Sequence, residues 1–191
     1  ESMAKWRGKE KDPAHGVHDG IPHLTKIKLK PEPIGMECKT LADADTGIIL
    51  SCEPQEGAVA MAGKEFRGEH PASIACTLRL CKDYFGSGRG VNGDSYFGSV
   101  YACWALMDKG LYFRGVVKTA HSFFPKKELT QDVPYGRGST ATAVVTVSYR
   151  GQHFKIGAAG WNEFKGVKKF VFTAGTTIAA ECGAMKNFLD D

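Results

Sequence analysis

The residue best placed to do chemistry is Asp94, in the segment Gly-Val-Asn-Gly-Asp-Ser-Tyr-Phe-Gly-Ser at 90–99. A short core strand is predicted to run into residues 93–97, with Asp94 at its carboxyl end, directly before a turn into a helix. A carboxylate there stands at the rim of a sheet, where open α/β folds place their ligands. With carboxylates from adjacent strand ends it can hold two Mg²⁺ ions, which activate a nucleophile and stabilise the leaving oxygen of a phosphodiester. The alternative that Asp94 only caps the following turn or helix stays open.

The remaining acids and the histidines are weaker candidates than Asp94 for a catalytic or metal-binding role. Asp43 and Asp45 fall in a turn, where Asp is common for backbone reasons, and Glu37 alternates along a predicted strand. Three histidines cluster at 15, 18 and 23, but their stretch has two glycines, a proline and no cysteine, which favours a solvated loop over a zinc site. The letters GxGxxG at 88–93 precede a predicted strand instead of following one, so they do not indicate a dinucleotide site.

The six cysteines form no CxxC pair, and most lie in apolar stretches. We interpret them as buried, reduced thiols, which predicts an intracellular protein. No apolar run approaches the roughly 18 residues that a membrane helix needs, and no secretory signal opens the chain. The opening Glu1-Ser2-Met3, followed at once by dense charge, predicts a fragment of something longer.

The charge of the chain is unevenly placed. The net charge is +4, yet the stretch from Lys109 to Ala180 holds 11 basic residues and three acids, which leaves −4 for the remainder. A basic half of this kind is typical of a polyanion-binding face, because each Lys or Arg near a phosphate releases condensed counterions. Scattered lysines that merely solubilise a surface are the alternative.

The predicted elements around Asp94 alternate unevenly. The first 23 residues and residues 121–140 are predicted to be irregular. Strands are predicted at 26–30, 34–41, 47–52 and 111–117, with a further short strand running into 93–97. Helices are predicted at 71–81 and 100–109, and further β-rich runs at 143–149, 153–160 and 167–173. An antiparallel hairpin followed by helix, strand, helix and strand predicts an α/β fold with a mixed sheet. The ribonuclease-H-like sheet has this order of elements.

Four segments, in order and at fitting intervals, resemble the catalytic domain of piggyBac-type transposases and their domesticated relatives. They are Glu1-Ser2-Met3 with Trp6-Arg7-Gly8, the stretch 30–47 that begins Lys-Pro-Glu-Pro-Ile-Gly, Gly93 to Ser99, and Gly115 to Thr119 with Phe124-Pro125. Trp161-Asn162-Glu163 and the run 170–177 are similar to later family motifs. The ordered set spans nearly the whole chain.

The resemblance implies a ribonuclease-H-like (retroviral integrase-like) core with an extra β-rich insertion, incomplete at both ends. We expect one partial catalytic domain over 1–191, with its core at 24–118 and the insertion-like and following segment at 119–180. Such transposases use three aspartates to bind divalent metal, Mg²⁺ or Mn²⁺, for strand cleavage and transfer. The second aspartate maps onto Asp94, and the first and third are expected before Glu1 and after Asp191.

The resemblance also implies DNA as the partner, namely transposon ends and target, and a nuclear location. It is compatible with a homodimer of the full-length protein. The phosphate contacts are expected at Arg114, Lys118, Lys126 and Lys127. One carboxylate cannot hold two metal ions, so the chain alone is predicted not to cleave DNA.

Two other functions stay open. One is a domesticated, inactive DNA-binding or chromatin-associated relative, since Ser95, Tyr96 and Gly98 depart from the family motif. The other is a binding module for proteins that uses no metal.

Overall fold

A computed structural model describes residues 2–117, 123–149, 151–164 and 166–173. The chain divides into two compact units, Glu1–Asp83 and Tyr84–Asp191. In the described ranges, no helix combines the length and the apolar character needed to cross a membrane.

The first unit is an antiparallel sheet with a helix against it. Its elements are β1 (Ser2–Lys5), β2 (Thr25–Lys26), β3 (Ile34–Ala42), β4 (Ile49–Pro54), α1 (Ala58–Ala62) and α2 (Ala72–Leu80). The central strand is β3, which pairs with β1, β2 and β4. The turn from β3 to β4 is closed by Asp43, whose Oδ1 accepts from Thr46 N–H at 2.9 Å, while Gly47 takes a left-handed φ of 71°. Asp43 therefore serves the backbone, as predicted.

A charged network lies between this sheet and α2. Arg79 donates from Nε to Glu53 Oε2 at 2.6 Å and from Nη2 to Glu53 Oε1 at 2.9 Å, which is a two-point ion pair. On the same strand face, Lys39 Nζ donates to Glu37 Oε1 at 2.6 Å. All four side chains are at most 15% exposed, so each charge depends on its partner.

The second unit carries the residues predicted to do chemistry. Its elements are β5 (Gly90–Gly93), α3 (Val100–Met107), β6 (Tyr112–Val116), α4 (Lys126–Asp132), β7 (Thr140–Tyr149), β8 (Gln152–Glu163) and β9 (Gly166–Thr173). The strands form one mixed sheet in the order β5-β6-β9-β8-β7, in which only β5 and β6 run parallel. The prediction of a mixed α/β fold is confirmed.

The core of this unit is built on α3, which is apolar around most of its circumference. Ser99 caps it by accepting from Ala102 N–H at 3.1 Å, as a serine before a helix commonly does. Trp104, Leu106 and Phe113 are at most 1% exposed. Burial of side chains of this size stabilises the fold by about 1.5–3 kcal/mol each.

Several predicted elements are wrong in detail. The strand at 26–30 is reduced to Thr25–Lys26, because the chain turns there with Lys30 N–H bonded to Ile27 O, and Leu29 is 97% exposed. The first 23 residues include strand β1, and the loop at 121–140 contains α4, held by the buried Leu129.

The sheet membership also departs from the expected core. The β3–β4 hairpin and the β5–β6 pair belong to separate sheets, and β6 pairs with β9 from beyond residue 118. The ribonuclease-H-like core and the division into 24–118 and 119–180 stay predictions.

Candidate metal and nucleic-acid site

Asp94 directly follows β5, at the edge of the sheet where two parallel strands end together. The register pairs Gly93 with Gly115, so the carboxyl ends of β5 and β6 lie side by side. The Asp94 side chain is exposed. This is the position predicted from the sequence, and a ligand at this edge would meet the carboxylate directly.

The Asp94 carboxylate also shapes the turn that follows. Its Oδ1 accepts from Tyr96 N–H at 2.8 Å, and its main-chain oxygen accepts from Phe97 N–H at 3.1 Å and Gly98 N–H at 2.9 Å. The alternative prediction, that Asp94 closes a turn, therefore describes a real contact. A carboxylate offers about four acceptor positions, so this contact is compatible with a bound cation.

Two glycines bring the turn against β6. A Cβ on Gly98 would stand 2.0 Å from Val116 O, and a Cβ on Gly115 would stand 2.6 Å from the Phe113 ring and 3.0 Å from Gly98 Cα. Only glycine permits main chains to approach so closely. These positioning residues were missed from the sequence, where Gly98 was noted only as a departure from the family motif.

The described ranges do not surround Asp94 with a complete set of metal ligands. No group of three or more His, Cys, Asp or Glu side chains converges there to hold an ion. A hard divalent cation takes about six oxygen ligands, with carboxylates from more than one residue in two-metal sites. Asp94 has the right chemistry for one ligand, but the described residues do not complete a metal site.

Two of the three clustered histidines lie against nearby carboxylates. His15 Nδ1 lies 2.7 Å from Asp12 Oδ2, and His23 Nδ1 lies 2.9 Å from Glu10 Oε1. These pairs agree with the interpretation of this stretch as a solvated loop.

The cysteines of the described ranges are free thiols. Cys38, Cys76, Cys81 and Cys103 are buried, as predicted, whereas Cys52 is exposed. Burial raises the pKa of Cys81 to about 11 and is the main cause that raises the pKa of Cys76 to about 12. These two buried thiols are therefore poor nucleophiles.

The predicted phosphate-binding residues do not form one cluster. Lys126 and Lys127 are exposed at the start of α4, and Arg114 is exposed on β6. Arg114 pairs with Phe172, which places it on the sheet face opposite to the one that carries Gly160 and α4. Lys118 lies outside the described residues.

A further lysine, missed from the sequence, joins Lys126. Lys169 on β9 is partly buried, and its pKa is lowered first by burial and then by the charge of Lys126. Two cations near enough for their charges to interact favour an anion nearby. Only the tertiary structure reveals this pair, because 43 positions separate the two residues.

Comparison with known proteins gives one family and one fold. The family profile described as Transposase IS4 matches residues 11–188. A solved structure of the piggyBac transposase synaptic complex with hairpin DNA is similar, with a TM-score of 0.63 and 18% identity. The match covers 80% of this chain but 30% of that one. No curated protein matches.

The family profile spans most of the chain. The similar solved structure is a piggyBac transposase, and the sequence motifs resemble the piggyBac-type transposases. The chain therefore belongs to the Transposase IS4 family, and its fold is similar to that of part of a piggyBac transposase.

Proposed function

We propose that this chain is part of the catalytic domain of a piggyBac-type DNA transposase. The complete protein would cut transposon ends and transfer the strands into target DNA in the nucleus. Asp94 would supply one carboxylate to Mg²⁺ or Mn²⁺, and Arg114, Lys118, Lys126 and Lys127 would contact phosphates. A homodimer of the complete protein is part of this proposal.

The observation that supports it best is the position of Asp94. Its exposed carboxylate follows β5 at the edge where β5 and β6 both end, and glycines at 98 and 115 hold the next turn against β6. Divalent metal, when bound, activates the attacking oxygen and stabilises the leaving one. For this chain, the contribution is a fixed acceptor at the sheet edge, with Tyr96 N–H holding its orientation.

The test uses the full-length protein and DNA that carries the terminal repeats flanking its gene. Cleavage is measured with Mg²⁺ and with Mn²⁺, and binding is measured in parallel by gel shift. We expect Asp94→Asn to abolish cleavage and to leave DNA binding intact. Asp108→Asn, which alters an exposed acid at the end of α3, is the matched control and should cleave like the wild type. Cleavage by Asp94→Asn at the wild-type rate would remove Asp94 from the metal site.

A second function is favoured by one contact. Because Asp94 Oδ1 closes the turn through Tyr96 N–H, this aspartate has a folding role that would keep it in a protein that had lost cleavage. An inactive, domesticated DNA-binding relative is therefore the alternative. It predicts that the full-length wild type binds DNA and does not cleave it with either metal.

A further inference from the structure

Three aromatic rings form a cluster beside the start of α3. Tyr101 meets Trp104 edge to face, with ring centroids 4.8 Å apart. Phe123 lies 5.4 Å from Trp104 and 6.2 Å from Tyr101, centroid to centroid. Trp104 is only 1% exposed, whereas Tyr101 is 37% and Phe123 is 54% exposed. The buried indole therefore supports two rings that reach solvent.

Phe123 holds an unfavourable backbone conformation as well as an exposed ring. Its φ is 68°, and Phe66 is the other non-glycine residue with a positive φ in the described ranges. A bulky side chain is a genuine outlier in this region, and such residues cluster at ligand sites. The neighbouring Phe124 is buried and anchors the chain beside it.

Cationic side chains follow this ring closely along the chain. Lys126 and Lys127 open α4 three and four positions after Phe123, and both are exposed. Lys126 N–H donates to Phe124 O at 2.8 Å, which ties the start of α4 to the aromatic segment. Glu128 follows Lys127 in the first turn of α4, and Asp132 ends the helix. Lys169 is close enough to Lys126 for their charges to repel.

From this arrangement we infer that the Phe123 ring stacks on an unpaired DNA base and that Lys126 and Lys127 contact the phosphates of the same strand. Tyr101, whose ring plane stands at 76° to that of Phe123, borders the base at its edge. Aromatic faces beside lysines are the general means of holding single-stranded nucleic acid. A base inside a duplex has no free face to offer, so the surface selects unpaired DNA. The positive charge favours this occupant over an apolar protein segment. The inference rests on the proposed function, in that the partner is DNA.

The experiment measures the affinity of the full chain for two fluorescent probes at low salt. One is an oligo-dT strand of about 12 nucleotides, within the range that such surfaces cover. The other is a blunt duplex of the same length. Phe123→Ala should weaken single-strand binding roughly tenfold, which is the loss of one stacked base, and should leave duplex binding unchanged. Phe123→Trp should retain single-strand binding.

The matched control is Phe164→Ala, which removes an aromatic ring that is 90% exposed and outside the cluster. It should not change the affinity for either probe. A second measurement needs no variant: a 2-aminopurine placed in the single strand should lose fluorescence when it stacks on the wild-type protein. This readout keeps the test decisive if Phe123→Ala does not fold.

The outcomes separate the inference from the proposed function. Salt-sensitive duplex binding with no single-strand effect of Phe123→Ala and no 2-aminopurine quenching overturns the inference and leaves the proposed function standing. If the wild-type chain binds neither probe at low salt, the result counts against the proposed function itself. If Phe123→Ala instead abolishes self-association in sedimentation and leaves DNA affinity unchanged, the rings contact a second copy and the inference is wrong.

Discussion

The glycine at 98 makes a sharp prediction about how Asp94 is positioned. In Gly98→Ala, the new Cβ would stand 2.0 Å from Val116 O and 2.8 Å from Val116 C, both main-chain atoms. Ordinary contact begins at 3.4 Å, so one segment must move by roughly 1.4 Å. Strand β6 is paired with β5 on one side and β9 on the other. The turn that carries Asp94 is therefore the part that moves.

Forcing a methyl group into such a contact costs about 1–3 kcal/mol. For a chain of this length, that lowers the melting temperature by about 2–12 °C. The assay is urea denaturation followed by circular dichroism, with a thermal melt in parallel. Hydrogen exchange at the Tyr96 amide gives a local readout, since that amide donates to Asp94 Oδ1. We expect it to exchange faster in the variant.

The control for this prediction is Gly90→Ala in the same unit. Its new Cβ would meet nothing closer than Arg114 Nη2 at 3.7 Å, which is ordinary contact at the end of a flexible side chain. Equal stability of the two variants, with unchanged exchange at Tyr96, would refute the reasoning that the glycine pair positions Asp94.

Three further predictions concern charge and thiols. Arg79→Ala leaves Glu53 buried without its two-point partner and should lower the free energy of unfolding by about 3–5 kcal/mol, measured by urea denaturation. The control is Lys82→Ala, which breaks an exposed ion pair and should lower the free energy of unfolding by at most about 1 kcal/mol. Burial, the largest single effect, would raise the pKa of Glu53, but the hydrogen bonds from Arg79 and Cys76 and the charges of Arg79 and Lys64 together outweigh it, and the pKa is lowered. The stability from this pair is therefore present above the ordinary carboxyl pKa and is lost as pH falls through the folded one, so the Arg79→Ala deficit should shrink in acid. A deficit of constant size at every pH would contradict this. Lys126→Ala and Lys127→Ala should each reduce the slope of log duplex affinity against log salt by about 0.9, whereas Lys82→Ala should not; a salt-independent affinity would indicate a protein-binding surface instead. Cys52→Ser should remove one rapidly labelled thiol in a dithionitrobenzoate assay, and Cys103→Ser should remove none until the protein is unfolded, since Cys103 is buried; rapid labelling of Cys103 would show that its packing is wrong.

Local signals in the sequence were enough to predict several of the elements. Ile74 and Leu78 recur at helical spacing and lie buried on α2, and Ser99 caps α3 as its position suggests. Asp94 directly follows β5, Gly90–Gly93, where the chain leaves the strand and turns. These features depend on contacts a few residues apart, which a sequence pattern displays directly.

Other elements could not be predicted because distant contacts decide them. The alternation Lys-Ile-Lys-Leu-Lys at 26–30 is typical of a strand, but β3 pairs there only with Thr25 and Lys26. Helix α4 is seven residues long and has one buried side chain, Leu129, so its own sequence is a weak signal. It packs over Gly160, where a Cβ would meet Val133 at 2.9 Å.

By itself, the sequence determined the family, the mixed α/β class and the place of Asp94 at a strand end, because ordered motifs and short-range periodicity are properties of the chain. The tertiary structure alone decided which strands share a sheet, that Gly98 lies against β6, and that the charge of Lys126 acts on Lys169 while Arg114 projects from the other face. Each of these depends on strand register and side-chain packing between residues far apart in sequence. A one-residue shift in register would move every side chain of a strand to the opposite face.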